Sequence, residues 1–142
     1  MDSKDQLIML RRSDFTTAKV TAAPIVSMTV NDGKIQFNYA ATQLLKIKDG
    51  DYVELGYAKD NERRLWFRKG TPADGYLVHA RKPKRDKSAC VIMSLPLVRH
   101  IRKILDTDYN ISVQLGTEPE NGVYWAMEAS YQFTKPRKWK AE

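Results

Sequence analysis

Eight basic residues stand close together between Arg81 and Lys103: Arg81, Lys82, Lys84, Arg85, Lys87, Arg99, Arg102 and Lys103. Asp86 is the one acid among them, and the 16 basic and 16 acidic residues elsewhere cancel, so this segment carries the whole formal charge of +7. Guanidinium and ammonium groups at this density suit the closely spaced phosphates of a nucleic acid. Five of them fall in the seven residues RKPKRDK, where they repel one another with only Asp86 to offset them. Arg99, Arg102 and Lys103 recur at i, i+3 and i+4, which puts them on one face of a helix. The run Lys135-Pro136-Arg137-Lys138-Trp139-Lys140 sets an aromatic ring among cations. Stacking on a base is one use for such a ring; a solubilising tail is the plainer expectation.

Other chemistries lack their residues. His79 and His100 are the only histidines, and neither has a carboxylate or cysteine at a metal-ligand spacing. No Ser-His-Asp, Cys-His or phosphate-loop arrangement can be written. The acids are scattered, mostly through turns, which gives little support to a paired-carboxylate site. No catalytic residue, metal or cofactor is therefore expected. Cys90, the single cysteine, lies in an apolar run and reads as a buried thiol. The apolar stretch Leu7 to Leu10 is too short for a membrane span and is followed by Arg11-Arg12. An unprocessed cytoplasmic protein is expected. Hydrophobic residues at 42% and aromatics at 10% are enough to build a core.

The elements that must carry these charges follow from periodicity and turn chemistry. Residues 1–24 read as an N-terminal arm closed by Pro24. Ile25 to Val30 and Lys34 to Phe37 make a hairpin about Asn31-Asp32-Gly33, whose glycine supplies the positive φ of a tight turn. Asn38 stands where an N-cap belongs, and Ala41, Leu44 and Leu45 form one face of a short helix. Lys48-Asp49-Gly50-Asp51 turns the chain back, and Tyr52 to Tyr57 and Arg64 to Lys69 make a second hairpin. Residues 25–69 thus read as ββαββ. The turn cluster at 70–75 is the boundary. Residues 76–130 repeat the order: strands at Tyr76 to Ala80 and Ala89 to Met93, a helix from cap Ser94 to Leu105, strands at Ile111 to Leu115 and Val123 to Ala129. Leu97, Ile101, Ile104 and Leu105 are the expected core face of that helix. Residues 131–142 form the basic tail, whose Tyr131 and Phe133 continue the last strand.

The repetition extends to residues. Val53-Glu54-Leu55-Gly56 matches Val113-Gln114-Leu115-Gly116, and each is followed by a loop and an apolar-Trp pair, Leu65-Trp66 and Tyr124-Trp125. An internal duplication is the reading. The unequal part is the tip of the third hairpin, where RKPKRDK replaces a tight turn.

The stretch GKIQFNYAATQLLKIKDGDYVEL, through Gly33, Lys34, Ile35, Phe37, Ala41, Leu45, Ile47, Gly50, Asp51 and Val53, resembles the AbrB/SpoVT-type swapped-hairpin module. It departs from the family in having Asn38 where proline is usual and in lacking the arginines of the family's helix. Only Lys34 matches a basic position of the family pattern. MraZ-like proteins are similar in carrying two modules per chain. The resemblance implies an α+β, mostly β fold: two ββαββ modules in a pseudo-symmetric swapped-hairpin-like barrel with two short helices, as a monomer or a homodimer. It also implies duplex DNA as partner and a transcriptional regulator or nucleoid-type binder as function. Arg81, Lys82, Lys84, Arg85 and Lys87 would be the main contacts, with Lys34, Arg99, Arg102 and Lys103 beside them.

Two other readings stay open. The span from Tyr52 to Leu105 also reads ββββα, an order similar to Whirly-like single-strand binders, with Tyr and Trp available for stacking. The third reading is a non-enzymatic structural or interaction protein of a phage or mobile element, its basic loop meeting an acidic protein surface.

Overall fold

A computed structural model describes residues 23–80 and 89–136. Strands β1 (Ile25–Thr29) and β2 (Lys34–Phe37) alternate as the sequence predicts, with Val26, Met28, Ile35 and Phe37 buried. Gly33 closes their turn at φ +66, and its N–H donates to Thr29 O at 3.1 Å. Helix α1 (Tyr39–Leu45) has only seven residues, too few to persist alone in water. It is held by burial of Ala41, Thr42 and Leu45 and by Asn38. The Asn38 Oδ1 accepts from Ala41 N at 2.9 Å and from Ile25 N at 3.0 Å, while its Nδ2 donates to Ala23 O at 2.8 Å. One side chain thereby caps the helix and pins it to the start of β1. Proline has neither the acceptor nor the donor for this.

Strands β3 (Tyr52–Ala58) and β4 (Asn61–Lys69) form the longest hairpin, with Val53, Leu65 and Phe67 turned inward. Strands β5 (Tyr76–Leu77) and β6 (His79–Ala80) follow, then β7 (Cys90–Met93), helix α2 (Leu95–Leu105), β8 (Asn110–Gln114), β9 (Tyr124–Trp125), a single 3-10 turn at Glu128–Ser130, and β10 (Gln132–Thr134). Ser94 caps α2, accepting from Leu97 N at 3.3 Å, with Pro96 in the first turn where its missing N–H leaves nothing unpaired. Both helices end on a left-handed residue, Lys46 at φ 55 and Asp106 at φ 54.

The chain is α+β and mostly β, built as two antiparallel sheets of order β10-β8-β1-β2-β7-β6 and β5-β3-β4-β9. Their inner faces meet around Phe37 and Phe67, whose rings pack edge to face with centroids 6.0 Å apart. Each helix touches strands of both sheets. The closed barrel expected from sequence is not formed. The stretch from Tyr76 to Ala80 is broken at Val78: β5 pairs with β3 in the smaller sheet, and β6 pairs with β7 in the larger. Val78 turns from one ladder to the other because its N–H is taken by Asp51 O at 2.8 Å and its carbonyl by Gly50 N at 2.9 Å. At the opposite seam β8 and β9 meet through the bridge Leu115↔Ala126 alone. The expected strand Val123 to Ala129 is likewise cut short at Trp125, since the 3-10 turn redirects the chain; Tyr131 ends that turn, and Phe133 belongs to a separate edge strand on β8.

Four strand pairings cross between the halves of the chain: β1 with β8, β2 with β7, β4 with β9 and β3 with β5. Neither half has its own complete core.

Candidate nucleic-acid interface

The main expected contacts, Arg81, Lys82, Lys84, Arg85 and Lys87, lie outside the described residues; their anchors do not. Ala80 and Cys90 are cross-strand partners, so the basic loop springs from a closed rung of the β6–β7 ladder. Asp49 Oδ1 accepts from Ala80 N at 2.9 Å and holds the loop's entry. Cys90 also pairs with Phe37, next to the Asn38 cap, which sets the loop's exit beside the start of α1. The Cys90 thiol is buried, and that burial pushes its pKa up, so it is an inert core group as expected.

Strand β7 has four residues, a rise of about 13 Å, and separates the loop's exit from the start of α2. At that second end lies Lys34, half-buried, opposite Met93, with Nζ 4.0 Å from the Asp32 carboxylate. Ser94 N donates to Gly33 O at 2.9 Å, tying the hairpin turn that precedes Lys34 to the helix cap.

On α2 the three basic residues do not behave alike. Val98, Ile101 and Leu105 are the buried stripe, while Leu97 and Ile104, expected in the core, are its half-buried margin. Arg102 lies roughly 40° around the helix from Val98, whereas Arg99 and Lys103 lie roughly 100° and 140° away. Arg102 is accordingly drawn into the rim of the core: its side chain is 20% exposed, its Nε is buried without a partner, and its Nη2 reaches Asp108 Oδ1 at 3.4 Å. Arg99 and Lys103 are exposed and, among the described residues, pair with no carboxylate. The helix therefore offers two cations to a phosphate, and Arg102 serves its own fold. Arg102 and Lys103 in the last turn also complement the helix dipole.

An aromatic and guanidinium stripe on the smaller sheet was not foreseen as a site. Arg64, Trp66 and Arg68 alternate along the outer face of β4; Arg64 lies 4.3 Å over the Trp125 ring and Arg68 lies 5.2 Å over Trp66. Trp66 and Trp125 are direct cross-strand partners. The period-two spacing Arg-x-Trp-x-Arg was the available signal, but the partner on β9 was not. Glu54 binds Arg68 at 2.7 Å, and Glu118, Glu120 and Glu128 surround Arg64 and Trp125. Those carboxylates make the stripe a poor phosphate surface.

His79 on β6 and His100 on α2 are both exposed, and among the described residues no three metal-ligating side chains gather. No helix in the described residues is long and apolar enough to cross a membrane. Compared with protein-family models, with curated proteins and with solved structures, the chain gives no match to any.

Proposed function

We propose that this protein binds duplex DNA, as an AbrB-like regulator or nucleoid-type binder, by gripping phosphates at two points. One point is the loop Arg81 to Lys87, and the other is Arg99 and Lys103 on α2 with Lys34 near its start. The observation that carries the reading is the short strand β7: its four residues, a rise of about 13 Å, join the exit of the basic loop directly to the start of α2, so one continuous strand and helix carry both groups of cations. The segment Arg81 to Lys103 holds the chain's net charge of +7, and the other basic run, Lys135 to Lys140, lies in the C-terminal tail.

The module reading is supported by register. When Asn38 is matched with Ser94, the β2–β7 pair Lys34↔Met93 maps onto Phe37↔Cys90, and Ile35↔Ile92 maps onto Gln36↔Val91. Trp66↔Trp125 maps onto itself, and Leu55↔Phe67 has its counterpart in Leu115↔Ala126. These are the relations that a pseudo-twofold between two ββαββ units requires. Loop Arg81 to Lys87 then occupies the place of the Asn31-Asp32-Gly33 turn.

Single-strand binding is the second reading, favoured by the Trp66 and Trp125 pair. Fluorescence anisotropy of labelled duplex and single-stranded oligonucleotides across a salt series separates the two. Tighter binding of duplex with a steep salt slope is expected. Tighter binding of the single strand would move the function to the smaller sheet, and no binding at low salt would leave the charge to a protein partner.

A further inference from the structure

A cleft of about 590 Å³ opens between the end of α2, the start of β8 and the edge strand β10. Leu105, Tyr109, Tyr131 and Phe133 give it apolar walls, and Asp106 and Glu128 give it an acidic rim. Tyr109 and Phe133, 43% and 45% exposed, line the same cleft and so form a joint exposed apolar surface. The walls are fixed: Tyr131 OH donates to Arg63 O at 2.7 Å and accepts from Leu65 N at 3.1 Å. The one cation in the cleft, Arg63, is already committed to the Leu105 carbonyl at 3.2 Å.

The register of β10 says what runs toward this cleft. Phe133 pairs with Ile111 and Thr134 with Asn110, so each residue further along is opposite one nearer the end of α2. β10 ends at Thr134, opposite Asn110, the first residue of β8, so residues 137–142 follow from this side of the cleft. Trp139 is six residues beyond the cleft-lining Phe133, a span of at most about 20 Å in extended chain, which is enough to bring it to the cleft. The charges are complementary as well: Arg137, Lys138 and Lys140 of the tail against Asp106 and Glu128 on the rim, with Asp108 two residues further on. From Ile104 to Pro136 the chain holds five acids against Lys135 alone, the most negative stretch of the described residues.

We propose that the cleft is the docking site of the chain's own C-terminal segment, with Trp139 seated between Leu105 and Phe133 and its flanking cations on the acidic rim. The docked segment offsets Asp106 and Asp108, which line one shallow pocket with Lys103, and so extends the basic surface of α2. The inference stands apart from the DNA reading and is tested without nucleic acid.

The emission of the full chain less that of a Trp139→Phe variant isolates Trp139. The expected difference spectrum is blue-shifted, is quenched by acrylamide severalfold less than that of a free Lys-Trp-Lys peptide, and becomes peptide-like in Phe133→Ser. A Trp139 as quenchable as the peptide in the parent protein would overturn the proposal. Protection that survives Phe133→Ser but vanishes on removal of residues 1–22 would also overturn it, because the N-terminal apolar stretch would then be the partner.

Discussion

Asn38 is the residue on which the first module turns. Its replacement by Ala removes a cap and both ties to the start of β1, and a loss of about 1–2 kcal/mol is expected, read as a lower urea midpoint with an unchanged slope. Gly33 is constrained twice, by its positive φ and by the start of α2: a Cβ there would come within 2.4 Å of Leu95 Cα. Gly33→Ala is expected to cost about 1–3 kcal/mol in the same measurement. Glu54 links stability to pH. Arg68, whose Nε and Nη2 reach Oε1 at 2.8 and 2.7 Å, and the Thr71 N–H at 3.1 Å on Oε2 hold its pKa below the ordinary 4.5. A carboxylate whose folded pKa is depressed stabilises the fold above its unfolded pKa and loses that contribution as pH falls through the folded one. Glu54→Gln is therefore expected to flatten the fall in melting temperature below pH 4.5 while lowering it at neutral pH.

Both helices and the two longest hairpins were legible in the sequence, because period-two strands, Asn and Ser caps and Asp-Gly turns are local signals. What was not legible depends on contacts distant along the chain. Val78 breaks its strand because Gly50 and Asp51 claim its hydrogen bonds. The 3-10 turn at Glu128–Ser130 is likewise held from outside, as Ser130 Oγ accepts from Gln114 N at 2.9 Å. Charge along α2 was legible, but the division of labour on it was not: spacing groups Arg99, Arg102 and Lys103, and only the position of the buried stripe and of Asp108 sets Arg102 apart. That division predicts that Arg99→Ala with Lys103→Ala weakens DNA binding while leaving the urea midpoint close to the parent's. Arg102→Ala is expected to do the reverse, lowering stability more than affinity.

The molecule as a whole is two interlocked halves, the second of which carries the net positive charge of the sequence between Arg81 and Lys103. Because four strand pairings cross between the halves, cutting the chain at 70–75 is expected to leave two fragments that fold together and not apart, as circular dichroism of each fragment and of their mixture would show. DNA binding through that charge is the proposed function, and its test is the salt dependence of duplex affinity in three folded proteins: the parent, a loop variant with Arg81, Lys82, Lys84 and Arg85 changed to Ala, and the helix variant with Arg99 and Lys103 changed to Ala. Each phosphate contact contributes about 0.9 to the slope of log affinity against log salt, so a two-point grip predicts losses of up to about 3.6 for the loop and about 1.8 for the helix. Parent slopes retained in both variants would contradict binding through this face.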